Sequence, residues 1–139
     1  MKIKLLTLSL LCTLTSIFAQ SKIYIHSDRA VYSPNETIYF SGVVCNKDLS
    51  LNTNSKLLYL ELYDATNTFI KRYLVQIRSG KVRGQVKLSE SLALGSAYFK
   101  AYVGGEDNSE NTFYYLPFAV VKNTIFRTHA ATNGKNLDP

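Results

Sequence analysis

Apolar and polar residues alternate along most of this chain, and the alternation constrains the fold more than any other feature. Between residues 81 and 88 every second position is apolar or glycine, and the positions between are Lys81, Arg83, Gln85 and Lys87. Successive side chains of a β-strand point to opposite faces, so this pattern predicts a strand with one buried face and one basic face. After residue 20 no segment repeats apolar residues with the 3.6-residue period of a helix. The sequence therefore predicts an all-β protein.

Seven segments are predicted as strands: residues 22–26, 37–45, 57–63, 69–77, 81–88, 96–103 and 112–121. Turn-forming residues at 33–36, 64–67 and 79–80 separate several of them. Gly42 is expected to mark a bulge or bend, and Pro117 to place the last strand at a sheet edge or a bulge. Short strands at this spacing predict a seven-stranded antiparallel Greek-key β-sandwich. Because the chain has no Trp and no pair of core cysteines, it is expected to be immunoglobulin-like or fibronectin-III-like in architecture only.

The first 19 residues follow a different pattern. Lys2 and Lys4 precede an apolar stretch at 5–18, and Ala19 supplies a small residue before Gln20, as is typical of a secretory signal peptide. The stretch is shorter than the ~20 residues that a membrane-spanning helix needs. Two alternatives are an apolar first strand and lipidation through Cys12, although leucines occupy the positions where a lipidation motif has small residues. We expect cleavage after Ala19 and an exported chain with no transmembrane segment.

Cleavage at that point would leave one β-domain, residues 20–122, followed by a linker or flexible C-terminal tail, residues 123–139. Removing Lys2 and Lys4 lowers the formal net charge from +6 to +4. The longest basic cluster is the dipeptide Lys71-Arg72, so nucleic acid is not an expected partner. Cys45 would be the remaining thiol, so the core rather than a disulfide must stabilise the domain.

No cluster of residues in the sequence indicates catalysis or metal binding. His26 and His129 are 103 residues apart, and neither HxH nor CxxC occurs. Residues 106–110 are acidic but lack EF-hand spacing, which favours a solvated loop over a Ca²⁺ site. Nothing in the sequence places Cys45 beside a histidine, and no GxSxG motif occurs. We expect no enzymatic activity, no cofactor and no metal.

Residues 26–38 read HSDRAVYSPNETI. This segment resembles the signature that opens the second macroglobulin domain, MG2, of the α2-macroglobulin family, in which Val-Tyr-x-Pro-Gly-Glu-Thr-Val follows an acidic-basic pair. The resemblance continues at residues 57–64 and 88–103, and it covers about residues 22–121. It is closest to the version that opens long bacterial envelope proteins. The resemblance therefore implies a macroglobulin domain that is periplasmic, outer-membrane-associated or secreted.

The residues that carry this resemblance are expected to have structural roles: Asp28, Arg29, Tyr32, Pro34, Asn35 and Glu36. Pro34 fixes φ for a tight turn, and the next residue commonly needs a positive φ. Glycine adopts that conformation cheaply and asparagine tolerates it, so Asn35 is a conservative departure from the family's usual Gly. Ala97 is a second departure, because such domains often carry Tyr two residues after Gly95. The hydrogen bond of a tyrosine corner is therefore not expected.

Large members of the family trap proteases with a thioester and a bait region, and this chain contains neither a Cys-Gly-Glu-Gln sequence nor a bait region. The resemblance implies endopeptidase-inhibitor ancestry without the parts that perform inhibition. We expect a non-catalytic exported module that acts as a structural or protein-docking domain in the cell envelope, with protein as its partner. The candidate interaction surface consists of Tyr59, Tyr63, Lys81, Arg83 and Lys87. The alternative is a secreted carbohydrate-binding module with a tyrosine-bearing sheet face, because tyrosine rings stack on sugars.

Overall fold

A computed structural model describes residues 20–106 and 112–122. These residues form eight strands and no α-helix: β1 Lys22–Ser27, β2 Val31–Tyr32, β3 Thr37–Cys45, β4 Leu57–Tyr63, β5 Phe69–Gln76, β6 Lys81–Lys87, β7 Gly95–Val103 and β8 Tyr114–Val120. The all-β prediction is confirmed. The described part of the chain contains no helix long and apolar enough to cross a membrane. The predicted signal peptide and C-terminal tail lie outside the described residues.

The strands form two sheets, one in the order β1-β3-β6 and the other in the order β2-β8-β7-β4-β5. Every pairing is antiparallel except that of β2 with β8. The inner faces of the two sheets share one core. Its largest fully buried side chains are Tyr32, Ile38, Val44, Leu58, Leu60, Leu62, Leu88, Phe99 and Val120. Burial of each such side chain contributes roughly 1.5–3 kcal/mol, so this apolar layer is the main stabilising feature of the β-sandwich.

The prediction of seven strands differs from the structure by one strand, β2. Two residues are too short for an alternation to be visible in the sequence. The Ala119 N–H donates to the Ala30 carbonyl and the Val121 N–H to the Tyr32 carbonyl, both at 2.9 Å. These bonds attach Val31–Tyr32 to the five-stranded sheet, whereas β1 and β3 on either side belong to the three-stranded sheet.

Pro117 lies inside β8, where the sequence predicted a sheet edge or a bulge. β8 has neighbours on both sides, and its register with β7 is continuous through Pro117. The N–H groups of Ala119 and Val121 point toward β2. Because backbone groups alternate in direction along a strand, the nitrogen of Pro117 faces the same side. β2 pairs only with Ala119 and Val120, so its two residues end before they reach Pro117. A proline is tolerated there because no ladder hydrogen bond is lost.

Gly42 does not mark a bulge, because the register of β3 is continuous at this residue on both sides. A Cβ atom at Gly42 would lie 2.2 Å from the carbonyl oxygen of Tyr24. The glycine therefore permits a close backbone approach of β1 to β3, which is the other common reason for a glycine within a strand.

The two predicted turns around β5 are confirmed. In the β4–β5 hairpin the Asn67 N–H donates to the Asp64 carbonyl at 3.0 Å, and Asn67 has a φ of 61°. Between β5 and β6, Ser79 and Gly80 both have positive φ, 48° and 74°. Two consecutive positive φ values are typical of a tight two-residue turn. This second turn carries the chain from the edge of one sheet to the edge of the other, and β5 and β6 contact each other.

Candidate functional site

The family-like segment folds around the carboxylate of Asp28. The Tyr32 hydroxyl donates to Asp28 Oδ1 at 2.7 Å, and the Tyr39 N–H donates to the same oxygen at 2.9 Å. The Arg29 N–H in turn donates to the Tyr32 hydroxyl oxygen at 2.9 Å. Desolvation raises the pKa of Asp28, but the hydrogen bonds from Tyr32 and Tyr39 outweigh it and leave the pKa lowered. Asp28 therefore acts as an anion that fastens β2 to the start of β3.

A second carboxylate, Glu36, closes the turn that follows. Glu36 Oε2 accepts the Ser33 N–H at 2.6 Å, and Glu36 Oε1 lies 3.2 Å from Arg29 Nη1. The hydrogen bond from Ser33 lowers the pKa of Glu36, and Arg29 lowers it further. Asn35 has a φ of 69°, so the predicted left-handed residue after Pro34 is confirmed. All of these contacts join residues between Asp28 and Tyr39. Together they stabilise the turn between β2 and β3.

The five residues of the predicted interaction surface lie on two different faces. Tyr59 and Tyr63 belong to β4, in the five-stranded sheet, whereas Lys81, Arg83 and Lys87 belong to β6, in the three-stranded sheet. The structure does not bring the two groups together. Alternation along a strand shows which residues share a side of that strand, but it does not show which sheet the strand joins.

The outer face of the five-stranded sheet carries paired tyrosines from β4 and β7, which we call the tyrosine face: Tyr59, Tyr63, Tyr98 and Tyr102. Tyr59 lies directly opposite Tyr102 and Tyr63 opposite Tyr98, with stacked rings whose centroids are 5.1 and 5.0 Å apart. The Tyr98 hydroxyl also donates to Asn67 Oδ1. Ala97, in contrast, is buried in the core. Tyr98 therefore contributes to the outer face.

The two tyrosine pairs flank a buried carboxylate, Glu61, whose residue is only 4% exposed. Glu61 Oε1 accepts hydrogen bonds from Arg72 Nε at 2.8 Å and from the Tyr102 hydroxyl at 2.9 Å. Glu61 Oε2 accepts one from the Tyr63 hydroxyl at 3.1 Å. A buried charge is tolerated when it is paired and hydrogen-bonded in this way.

The pKa values of this group follow from the same contacts. Burial raises the pKa of Glu61, but the hydrogen bonds from Arg72, Tyr102 and Tyr63 outweigh it, so the pKa is lowered. Burial, together with the hydrogen bond to Glu61, raises the pKa of Tyr102 to about 12. Both groups are therefore held in their ordinary charge states at neutral pH, which is a structural rather than an acid–base arrangement.

Sequence reasoning placed Glu61 and Tyr102 at outward positions but did not predict that they form one hydrogen-bonded network with Arg72. Glu61 stands between Tyr59 and Tyr63 on the outward side of a strand that is otherwise apolar, and this was the available signal. Its partners come from β5 and β7, so the network depends on cross-strand register that a single sequence does not reveal.

The outer face of the three-stranded sheet is different in character. The predicted alternation of β6 is confirmed, because Val82, Val86 and the following Leu88 are buried, whereas Lys81, Arg83, Gln85 and Lys87 are exposed. We call the exposed cations Lys81, Arg83 and Lys87 the basic stripe. Within the described residues none of the three forms an ion pair. Tyr39 of β3, 54% exposed, lies opposite Gln85 beside this stripe.

Histidine, cysteine and acidic residues do not assemble into a metal-like cluster in the described parts of the chain. Cys45 is a buried free thiol. His26 Nε2 lies 3.0 Å from the Ser41 hydroxyl, and Ser41 is four residues from Cys45 along β3, or about 13 Å at the rise of a strand. Cys45 and His26 are therefore too far apart to act as a nucleophile and base. His129 and residues 107–110 lie outside the described residues.

Glu106, which was predicted to lie in a solvated loop, instead contacts the start of the domain. Its carboxylate accepts the Ser21 N–H at 2.8 Å and also the Ser21 hydroxyl. The buried Asn52 donates to the Ser21 hydroxyl oxygen at 2.6 Å. A polar cluster with all its partners present can specify one packing arrangement. Here it fixes the chain just before β1.

The fold described above is similar to part of the bacterial α2-macroglobulins. One match is the native conformation of E. coli alpha-2-macroglobulin, at 18% identity over 76% of this chain, with a TM-score of 0.62. Another is a Salmonella alpha-2-macroglobulin mutant, at 19% identity over 77% of this chain, with a TM-score of 0.64. The matched region spans only 6% and 7% of those proteins.

No protein-family model matches the sequence, and no curated protein matches it. At 18–19% identity the structural similarity concerns the fold. The chain thus has the fold of a macroglobulin-like β-sandwich module.

Proposed function

We propose that this protein is a non-catalytic exported module of the MG2 type that acts as a structural or protein-docking domain in the bacterial cell envelope. The observation that supports it is the coincidence of two independent features. The fold is similar to part of bacterial α2-macroglobulins, and the motif that resembles MG2 forms the Asp28–Tyr32–Glu36 turn in that fold. Fold alone does not imply function, so the proposal also depends on the chemistry of the sites.

The charged groups with shifted pKa values support a structural role rather than a reaction. Asp28 and Glu36 accept backbone N–H groups, and Glu61 accepts hydrogen bonds from tyrosines and an arginine. Lowered carboxylate pKa values of this kind stabilise a fold, whereas a general base at neutral pH needs a raised pKa. The contacts of these carboxylates therefore favour a role in stabilising the fold.

Export can be tested by expressing the full chain with a C-terminal tag in a bacterium and isolating the envelope and secreted fractions. We expect the tagged protein there, with an N-terminus at Gln20, because residues 1–19 fit a signal peptide. Protein retained in the cytoplasm with Met1 intact would contradict export. Acylation at Cys12 would mean that the chain is anchored by a lipid and is not simply cleaved after Ala19.

The alternative function, carbohydrate binding, is favoured by the exposed Tyr115, which lies at the edge of the tyrosine face with its ring 5.7 Å from that of Tyr98. The stacked rings of Tyr63 and Tyr98, however, cover each other's faces, and sugars stack on open ring faces. A glycan array separates the two functions. A specific glycan signal that Tyr115→Ala abolishes would favour carbohydrate binding over protein docking.

A further inference from the structure

The outer edge of β5 is free of a partner strand in the part of the chain that the structure describes, because β5 ends the five-stranded sheet. The Ile77 N–H donates to the Lys56 carbonyl at 2.9 Å, and this fixes the phase of the β4–β5 ladder. Hydrogen-bonded pairs alternate in an antiparallel ladder, so residues 71, 73 and 75 bond to β4. The N–H and C=O groups of Arg72, Leu74 and Gln76 consequently face the free edge. Ile70 lies at the register shift between the Leu62–Lys71 and Tyr63–Phe69 pairs, so the free part of the edge begins after it.

The side chains along this edge are apolar and exposed. Leu74 is 65% exposed, and Phe69 and Ile70 are also exposed. The guanidinium of Arg72, which lies between Ile70 and Leu74, is neutralised by Glu61 at 2.7 Å. Natural proteins usually protect a free edge with unpaired charges, proline, a β-bulge or a covering segment. The bulge beside Ile70 and the exposed Lys71 protect the N-terminal end of β5 in this way, whereas Leu74 and Gln76 carry none of these protections within the described residues.

Cations that form no ion pair among the described residues lie on the other side of the β5 edge. β6 contacts β5, and Gln76, Arg78, Lys81 and Arg83 line one shallow surface cavity. None of these three cations forms an ion pair among the described residues. Lys71 projects from β5 to the side of the strand opposite Arg72, and it is exposed. The free edge of β5 is therefore asymmetric, with apolar side chains on one side and cations on the other.

We propose that the free edge of β5 binds an extended segment of a partner protein as an added strand, with apolar residues on one side of that segment and carboxylates on the other. The partner's backbone would bond to Arg72, Leu74 and Gln76, as in other cases of strand addition. Its apolar side chains would pack beside Ile70 and Leu74, and its carboxylates would face Lys71, Arg78 and Lys81. A second copy of this chain is disfavoured because it would bring the same cations together. The inference rests on the proposed docking function and names its site and the chemistry of the partner.

The test uses the full chain without residues 1–19 and three fluorescein-labelled ten-residue peptides. The first alternates Val and Glu, the second alternates Val and Lys, and the third is the Val–Glu peptide with alternate backbone amides methylated. Fluorescence anisotropy should show at least tenfold tighter binding of the Val–Glu peptide than of either other peptide. Hydrogen exchange should show that this peptide protects the amides of Arg72, Leu74 and Gln76.

A pair of variants locates the site. Leu74→Lys should weaken binding of the Val–Glu peptide at least tenfold without changing the fold, because the side chain is exposed. The matched control is Tyr39→Lys, at a similarly exposed position on the other sheet, and it should bind as the unmodified chain does. Equal loss in both variants, absence of Val–Glu binding, or equal binding of the Val–Lys peptide would overturn the inference.

Two further outcomes would also overturn it. Edge amides that are already protected in the free protein, and become exposed on dilution, would mean that a second copy covers β5. Protection that disappears when residues 123–139 are deleted would mean that the chain's own C-terminal segment covers it. In each of these cases the export experiment and the fold are unaffected, so failure here is distinguishable from failure of the proposed function.

Discussion

The outer faces of the two sheets arise from the same alternation of residues, but one buries and pairs its charged group and the other leaves its charged groups exposed and, among the described residues, unpaired. On the tyrosine face, Glu61 is buried and bound by Arg72, Tyr63 and Tyr102. On the basic stripe, Lys81, Arg83 and Lys87 extend into water and form no ion pair with any described residue. Exposed charges contribute little to the free energy of unfolding. Breaking up a buried, paired carboxylate is destabilising, because the remaining groups stay buried without their hydrogen-bond partners. The outward face of a sandwich can therefore be a second packed layer or a solvated surface, and the difference lies in its cross-strand partners.

The largest effect should come from removing the carboxylate at the centre of the tyrosine face. Glu61→Ala strands the buried Tyr102 hydroxyl and removes the partner of Arg72, so it should lower the free energy of unfolding by about 2–3 kcal/mol. Urea denaturation measures this change. The matched control on the other face, Gln85→Ala, should change it by no more than about 0.5 kcal/mol. Equal effects of the two substitutions would remove the distinction between the faces.

The second prediction sharpens the comparison by testing a source of stability that belongs to neither face, the turn at Asn35 between β2 and β3. Asn35→Val should cost about 1–2 kcal/mol, because a β-branched residue tolerates a φ of 69° poorly. Asn35→Gly should be neutral or stabilising, since glycine has no Cβ strain there. Thermal melts of the two variants measure the difference. A Val variant more stable than the Gly variant would contradict the assigned turn.

The third prediction concerns pH. The folded-state pKa of Glu61 is lowered, so its contribution to stability is present above its unfolded pKa, about 4.3, and is lost as the pH falls through the folded value. Asp28, Glu36, Asp48 and Asp64 also have lowered pKa values, so the acid slope of the unmodified chain is shared among all five carboxylates. Urea titrations between pH 7 and pH 2.5 should therefore show a shallower acid slope for Glu61→Gln. An identical slope would mean that the buried carboxylate is not linked to folding.

The smallest effect is expected from the basic stripe. Replacing Lys81, Arg83 and Lys87 together by Gln should change the free energy of unfolding by less than about 0.5 kcal/mol per residue, because all three side chains are solvated. Any change should become smaller as salt is raised from 0.05 to 0.5 M in urea melts, because salt screens the repulsion among the three cations. A loss comparable to that of Glu61→Ala would show that the stripe is a structural element like the tyrosine face.

Features that depend on neighbours in sequence were predictable, and features that depend on which strands meet were not. The buried and exposed sides of β6, the turns at 64–67 and 79–80, and the positive φ of Asn35 all follow from local patterns. β2 is too short to leave a pattern, and its partner β8 is more than 80 residues away. Gly42 indicated an irregularity in β3, but only the structure distinguishes a close backbone approach from a bulge.

The candidate surface shows the same limit. Tyr59, Tyr63 and the basic stripe were each correctly placed on the outward side of their own strands, yet β4 and β6 joined different sheets. The Glu61 network draws its members from β4, β5 and β7 and was not anticipated. The free edge of β5 likewise depends on strand order, which no alternation encodes.

The parallel pairing of β2 with β8 has a consequence for the order in which the domain folds. Val31 and Tyr32 gain their sheet partners only when Ala119 and Val120 arrive, almost at the end of the domain. Contacts between residues so distant in sequence form slowly, because a long loop must close first. During synthesis the segment with the clearest sequence signature would therefore remain unpaired until nearly the whole domain has been made. The sheet position of this segment would be among the last features of the native state to become fixed in time.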